Sequence, residues 1–167
     1  MSRLSFRNIY NLIFGILILF AIALHQNSFL GKTIRGKEKE IKVTVTVKQA
    51  GDLYKDAASI KQSGKYFNVY DEKEKLLGHI LHSNSFSPEV RGYNGRVPIL
   101  IALSKDKQIQ GIKLLPNHET GDFVEILREH HYMDFWNGKR PEEAMSMQVN
   151  GISGATVSSM AVGRAIR

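Results

Sequence analysis

Hydrophobic and polar positions divide this chain into segments of different period. The first is Ile9 to Leu24, apolar throughout except for Tyr10 and Asn11. A spanning helix needs about 20 apolar residues, and the neighbouring Ser, Asn and Gln extend the run toward that length. Arg3 and Arg7 precede it with no acid among them, which places the N-terminal end in the cytoplasm by the positive-inside rule. Ala21-Ile22-Ala23 also offers a small-x-small cleavage site. The residues after Ala23 stay apolar or uncharged, which favours a retained anchor over a cleaved signal peptide. Residues 1–27 are therefore read as a membrane anchor or uncleaved signal, 28–40 as a polar tether, and 41–167 as one extracytoplasmic domain. The implied location is the cytoplasmic membrane, single-pass, N-terminus inside, with the domain on the periplasmic side.

Shorter periods follow. Ile41, Val43, Val45 and Val47 alternate with Lys42, Thr44, Thr46 and Lys48, which predicts a half-buried strand. Gly51 to Gln62 reads as a short helix with Leu53, Ala57, Ala58 and Ile60 inward. Two hairpins come next. Lys65–Tyr70 and Leu76–His82 flank the charged turn at 71–74; Arg96–Ser104 and Ile109–Leu115 flank the turn at 105–108. Thr120 to His131 reads as a helix carrying Phe123, Ile126 and Leu127. Asp134 to Gly138 is a turn around Trp136, and Pro141 opens another helical turn. From Ala155 to Arg167 the chain reads as a helix whose apolar face is Val157, Met160, Ala161, Ala165 and Ile166. The fold class predicted is α+β: a mixed or antiparallel sheet of about five strands with packed helices, preceded by one N-terminal transmembrane helix.

Composition narrows the function. The 167 residues carry 23 Lys and Arg against 16 Asp and Glu, a net charge of +7. The basic residues are dispersed, with no stripe interleaved with aromatics, so no nucleic-acid partner is expected. There is no cysteine, which excludes disulfides, Cys-ligated iron–sulfur clusters and a Cys-x-x-Cys-His haem site. His79 and His82 fall on opposite faces of a strand, and neighbours such as His130 and His131 do not converge on a helix, so no metal site is expected.

The segment with the most specific chemistry is Val149 to Ser159. Gly151 and Gly154 permit close approaches that a β-carbon would block. Ser153 is a candidate N-cap. Small residues before a helix, with free amides pointing outward, form an anion site suited to a phosphate, and Thr156 stands in that first turn. Ser153-Gly154-Ala155-Thr156, continued by Val157-Ser158-Ser159, resembles the flavinylation motif of the covalent FMN-binding domain family. This family includes the periplasmic flavin subunits of the sodium-translocating NADH:quinone reductase and of the Rnf complex, and related small membrane-anchored proteins. Gly92-Tyr93-Asn94-Gly95, His118-Glu119-Thr120 and Phe135-Trp136-Asn137-Gly138-Lys139 are similar to family segments in the same order. The family's Pro-Gly continuation after Glu-Thr is replaced here by Gly121-Asp122-Phe123.

The resemblance implies FMN held by a phosphoester to Thr156 and installed by a flavin transferase. Ser153, Gly154, Ala155, Val157, Ser158, Tyr93, Gly95, Leu115, Glu119 and Thr120 are the implied cofactor-binding positions, with Leu114, Phe123 and Ile152 as further candidates for an apolar slot. Glu119 and Thr120 could instead be no more than a helix N-terminus with Thr120 as its cap. The implied role is a carrier rather than a stand-alone enzyme, with no catalytic residues of its own: it relays electrons within or to a membrane redox complex or other electron carriers. The alternative is a membrane-anchored ligand-binding or sensor domain with a non-covalent anion or flavin site.

Overall fold

The computed structural model describes residues 42–148 and 150–167. The expected anchor and tether, Ile41 and Val149 lie outside the described residues. Among the described residues no helix is long and apolar enough to cross a membrane.

Five strands form one antiparallel sheet in sequence order: β1 (Ser59–Ser63), β2 (Tyr66–Tyr70), β3 (Leu76–His82), β4 (Ile99–Ser104) and β5 (Ile109–Leu114). The two expected hairpins are β2–β3 and β4–β5. Their turns are closed by short polar side chains. Asp71 Oδ1 accepts from the amides of Lys73 (2.9 Å) and Lys75 (2.8 Å), and Ser104 Oγ accepts from the Gln108 amide at 3.1 Å. These bonds hold Glu74 and Lys107 in the left-handed region.

The segment before β1 departs from expectation. The alternation at 42–46 is present in the burial, since Val43 and Val45 are half-buried and Lys42, Thr44 and Thr46 are exposed. No strand forms there, however. Thr46 and Gln49 make a capping box, in which Thr46 Oγ1 accepts from the Gln49 amide at 3.2 Å and Gln49 Oε1 accepts from the Thr46 amide at 2.9 Å. That reciprocal pair satisfies two free donors and turns the chain into the short helix α1 (Val47–Gly51). The helix expected over 51–62 is absent. Its second half is β1, an edge strand whose polar residues pair with β2.

Helices α2 (Gly121–Glu129), α3 (Pro141–Ser146) and α4 (Thr156–Ile166), with a 3-10 turn at Tyr132–Trp136, cover one face of the sheet. Pro141 sits at the start of α3 as expected. Side chains alternate across the strands, so the sheet separates two cores. On the helical face Ile99, Ile101, Ile109 and Ile112 meet Leu127, Trp136, Val162 and Ala165. On the other face Phe67, Val69, Ile80, Leu100, Ala102 and Leu115 meet Ala50 and Tyr54. Trp136 is almost wholly buried, and a large apolar side chain so placed contributes about 1.5–3 kcal/mol. At β5 the outer backbone of Ile109 exchanges bonds with the next segment: its amide donates to Lys139 O (2.8 Å) and its carbonyl accepts from Gly138 (2.7 Å).

Gly78 shows how closely the far core is built. A β-carbon there would lie 2.2 Å from Leu103 O and 2.6 Å from the Tyr54 hydroxyl. That hydroxyl lies 2.6 Å from Leu103 O and 2.9 Å from His79 O, within donating distance of both. Burial raises the Tyr54 pKa well above its ordinary value.

Candidate functional site

The first turn of α4 differs from the expected cap. The cap position is Ala155, not Ser153, and no side chain caps it. Ser153 is exposed. The turn is closed from within instead. Thr156 Oγ1 donates to Ile152 O at 3.0 Å, Ser159 Oγ donates to Thr156 O at 3.0 Å, and the Ile152 amide donates to Ser159 Oγ at 3.0 Å. Gly154 has a φ of +85°, a conformation that suits glycine. Gly151 is required by contact: a β-carbon there would fall 2.7 Å from Thr156 Cγ2. The amides of Thr156, Val157 and Ser158 are the first of the helix and have no intrahelical acceptor.

The buried face of α4 is Ser158, Ser159, Ala161, Val162, Gly163 and Ala165, whereas Val157 and Met160, expected inward, are 47% and 43% exposed. The exchange has a physical cause: both serines bury hydroxyls that find partners. Ser158 Oγ donates to Glu119 Oε2, and Ser159 is held as described above. The Tyr132 hydroxyl adds a bond to Ser159 O at 2.9 Å, and burial raises its pKa.

Opposite α4 stands the tight turn Gly92–Gly95, in which the Gly92 amide donates to Gly95 O at 2.7 Å and Gly95 has a φ of +137°. The turn exposes Tyr93, 67% accessible, with its ring edge-on to Phe123 at 5.4 Å between centroids. Between Tyr93 and Phe123 on one side and Gly154, Ala155, Thr156, Val157 and Ser158 on the other lies a cleft of about 240 Å³. None of these seven residues carries a charge. The positive end of the α4 dipole faces the cleft, and the Glu119 carboxylate stands behind its wall.

The structure thus brings together Thr156, Gly154, Ala155, Val157, Ser158 and Tyr93. Gly95 shapes the turn without lining the cleft. Glu119 lies behind the wall, bonded to Ser158, and Thr120 is exposed at the cap position of α2 with no side-chain cap bond. Leu115, expected at the slot, is buried in the opposite core with Leu100 and Ala102, because it falls on the other side of the strand pleat. Leu114 also lies away from the cleft, and Ile152 contributes a carbonyl and an amide rather than a wall. Asn94 is a participant that sequence reasoning missed. Its amide donates to Glu119 Oε1 at 2.7 Å and its side chain to His118 O at 2.6 Å. Its place in a Gly-x-Asn-Gly turn was the available signal.

Residues 92–167 match the model of the FMN-binding domain family. This part of the chain is similar to FMN-binding domains. The match takes in β4, β5 and all three helices of the covered face, and so includes the whole cleft. No curated protein matches the chain. Among solved structures, the crystal structure of Shewanella oneidensis NqrC aligns with 74% of this chain and 70% of its own, at 17% identity and a TM-score of 0.43.

The residues of the cleft suit FMN. Exposed Val157 and Tyr93 present apolar surface to a flat ring, and the uncharged first turn of α4 offers amides to a phosphate. The cleft is smaller than the roughly 300–1,000 Å³ usual for small-molecule sites, so a cofactor here would stand partly in solvent.

Proposed function

We propose that Thr156 carries FMN through a phosphoester and that the domain relays electrons at the outer face of the cytoplasmic membrane, within or to a membrane redox complex. The observation that carries this reading is the exposed Thr156 hydroxyl at the start of α4, beside three free amides and an aromatic wall. Bound flavin would supply the electron chemistry. The chain's own residues bind and orient it.

Formation of the ester would join Thr156 Oγ1 to the flavin phosphorus. The hydroxyl proton is lost and a leaving group departs from an activated flavin donor presented by a flavin transferase. The local hydrogen bonds tolerate this change. Thr156 gives up its donation to Ile152 O, but that carbonyl still accepts from the Ala155 amide at 3.0 Å. No buried acceptor is orphaned, so esterification spares the penalty of about 1–3 kcal/mol for an unsatisfied group. A covalent link also suits a shallow cleft, since no dissociation step remains for the pocket to oppose. The N-terminal apolar run would hold the domain at the membrane.

The test is in-gel flavin fluorescence after denaturing electrophoresis, on wild type and Thr156→Ala made in a host with the transferase. Fluorescence at the protein's mass in wild type and none in the variant is the expected result. Equal fluorescence in both would refute the attachment point. A dark band in both would favour the non-covalent anion site.

A further inference from the structure

We propose that Glu119 is a positioning residue: it fastens the two walls of the cleft together from behind and places a fixed negative charge beside the flavin, without touching the flavin itself. This rests on the reading of the cleft as a flavin site.

Both carboxylate oxygens of Glu119 are already engaged. Oε1 accepts from the Asn94 amide at 2.7 Å; Oε2 accepts from the Tyr93 amide at 3.1 Å and from Ser158 Oγ. Tyr93 belongs to one wall of the cleft and Ser158 to the other. The carboxylate therefore links the Gly92–Gly95 turn to the first turn of α4, and charge-assisted bonds of this kind are stronger than neutral ones. Its own position is fixed in turn. The Glu119 amide donates to Asn117 Oδ1 at 2.8 Å, and Asn117 Nδ2 donates to Leu115 O at 2.9 Å, which ties the loop to the end of β5. His118 O takes the Asn94 side chain, so consecutive residues grip Asn94 from two sides.

The fit at Gly92 indicates how tightly the carboxylate is lodged. A β-carbon there would fall 2.8 Å from Glu119 Oε1 and 2.6 Å from Val97 Cγ2. An acceptor whose oxygens are consumed in this way has little capacity left for a ribityl hydroxyl or a ring edge. Its influence on the cofactor is geometric and electrostatic. Charge near a flavin tunes its electronics, and a carboxylate held behind the cleft opposes the gain of negative charge on reduction, which lowers the potential.

The test uses full-length protein. Hydrogen exchange at the Tyr93 and Asn94 amides is compared in wild type, Glu119→Gln and Ser158→Ala without flavin. Covalent loading under limiting transferase and the midpoint potential of the loaded fraction are then measured. Glu119→Gln keeps one acceptor oxygen, so it should speed exchange at least tenfold at one or both of these amides while β4 amides keep wild-type protection. It should also slow loading several-fold and raise the potential. Glu119→Asp keeps the charge on a shorter arm, so it should restore the potential and leave loading slow. Ser158→Ala releases only the α4 wall, so it should slow loading with the potential unchanged; it also serves should Glu119→Gln fail to fold. Wild-type protection of both amides in folded Glu119→Gln would overturn the clamp. Fast exchange with wild-type loading and potential would overturn the positioning role. A dark wild type, or a fluorescent Thr156→Ala, would instead count against Thr156 attachment, and the exchange data would still decide the clamp.

Discussion

Substitution of Gly151 by Ala is the sharpest test of how the fold presents Thr156. Gly151 does not adopt a positive φ, so alanine is acceptable to the backbone and the objection is steric. The new β-carbon would lie 2.7 Å from Thr156 Cγ2, 3.3 Å from Thr156 Cα and 3.3 Å from Met160 Cγ, against an optimum of about 3.5–4.0 Å. Met160 is exposed and can swing away. Thr156 cannot do so freely, because a β-branched side chain is stiff at χ1 and rotation would break its bond to Ile152 O. Losing that bond costs about 0.5–1.5 kcal/mol, and retaining it in an overpacked turn costs about 1–3 kcal/mol. The restricted unfolded chain returns about 0.4–1 kcal/mol. A net loss of roughly 1 kcal/mol leaves the domain folded, given a total stability of about 5–15 kcal/mol. Urea midpoints at constant m-value measure it, and covalent flavin loading should fall with it as the hydroxyl is displaced. Thr156→Ser removes Cγ2, so Gly151→Ala should be nearly harmless in that background and loading should recover. The cycle should show a coupling of about 1 kcal/mol, above the roughly 0.3–0.5 kcal/mol scatter of independent sites. Additive effects, or wild-type loading in Gly151→Ala alone, would refute the argument.

Three further outcomes follow from the same structure. Gly78→Ala should cost about 3 kcal/mol, at the upper end for overpacking, because a backbone carbonyl and the Tyr54 hydroxyl occupy the space. Tyr54→Phe in that background should recover only part of the loss in a thermal melt, since Leu103 O remains. Burial holds the His82 pKa below its usual value, and its Nδ1 accepts from the Asn84 amide at 3.1 Å. The folded protein therefore resists a proton that the unfolded chain takes up near pH 6.5. Stability should be level above about pH 6.5 and fall as pH drops below it, a slope that His82→Gln removes in urea titrations from pH 5 to 8. Tyr132→Phe should cost about 0.5–1.5 kcal/mol by losing its bond to Ser159 O, a carbonyl that keeps its helical bond within α4, and hydrogen exchange should show the loss at the start of α4.

The hairpins were legible because each combines alternating apolar residues with a charged turn whose side chains can bond the backbone. The helices over 121–129, 141–146 and 156–166 were legible for similar local reasons: an acid in the first turn, a leading proline, a basic last turn. Residues 42–46 were misread because a period of two reports only that one side of an extended chain is buried. It does not say whether another strand lies alongside, and the capping box at Thr46 decided the matter. The strand Ser59–Ser63 was missed because an edge strand can be almost wholly polar. At the site, the position of Thr156 in the first turn was legible from small residues and glycine spacing. The inward serines of α4 and the outward Val157 were not, because a serine is buried only when a partner such as Glu119, 39 residues earlier, reaches it. Sequence adjacency to the motif likewise gave no warning that Leu115 points into the opposite core.

The sheet is a meander in which every strand pairs with its neighbour in sequence, so most of it is built from short-range contacts, which form early and cheaply. The cleft is built from the opposite kind: Glu119 reaches Tyr93 across 26 residues and Ser158 across 39, and Arg164 reaches Arg91 O across 73. Closing such loops comes late in folding, and these contacts are the natural first to open in a partial unfolding event. The geometry around Thr156 is therefore a report on the completeness of the whole domain. A maturation enzyme that requires this geometry would modify finished molecules and pass over unfinished ones, so that attachment of the cofactor would double as quality control.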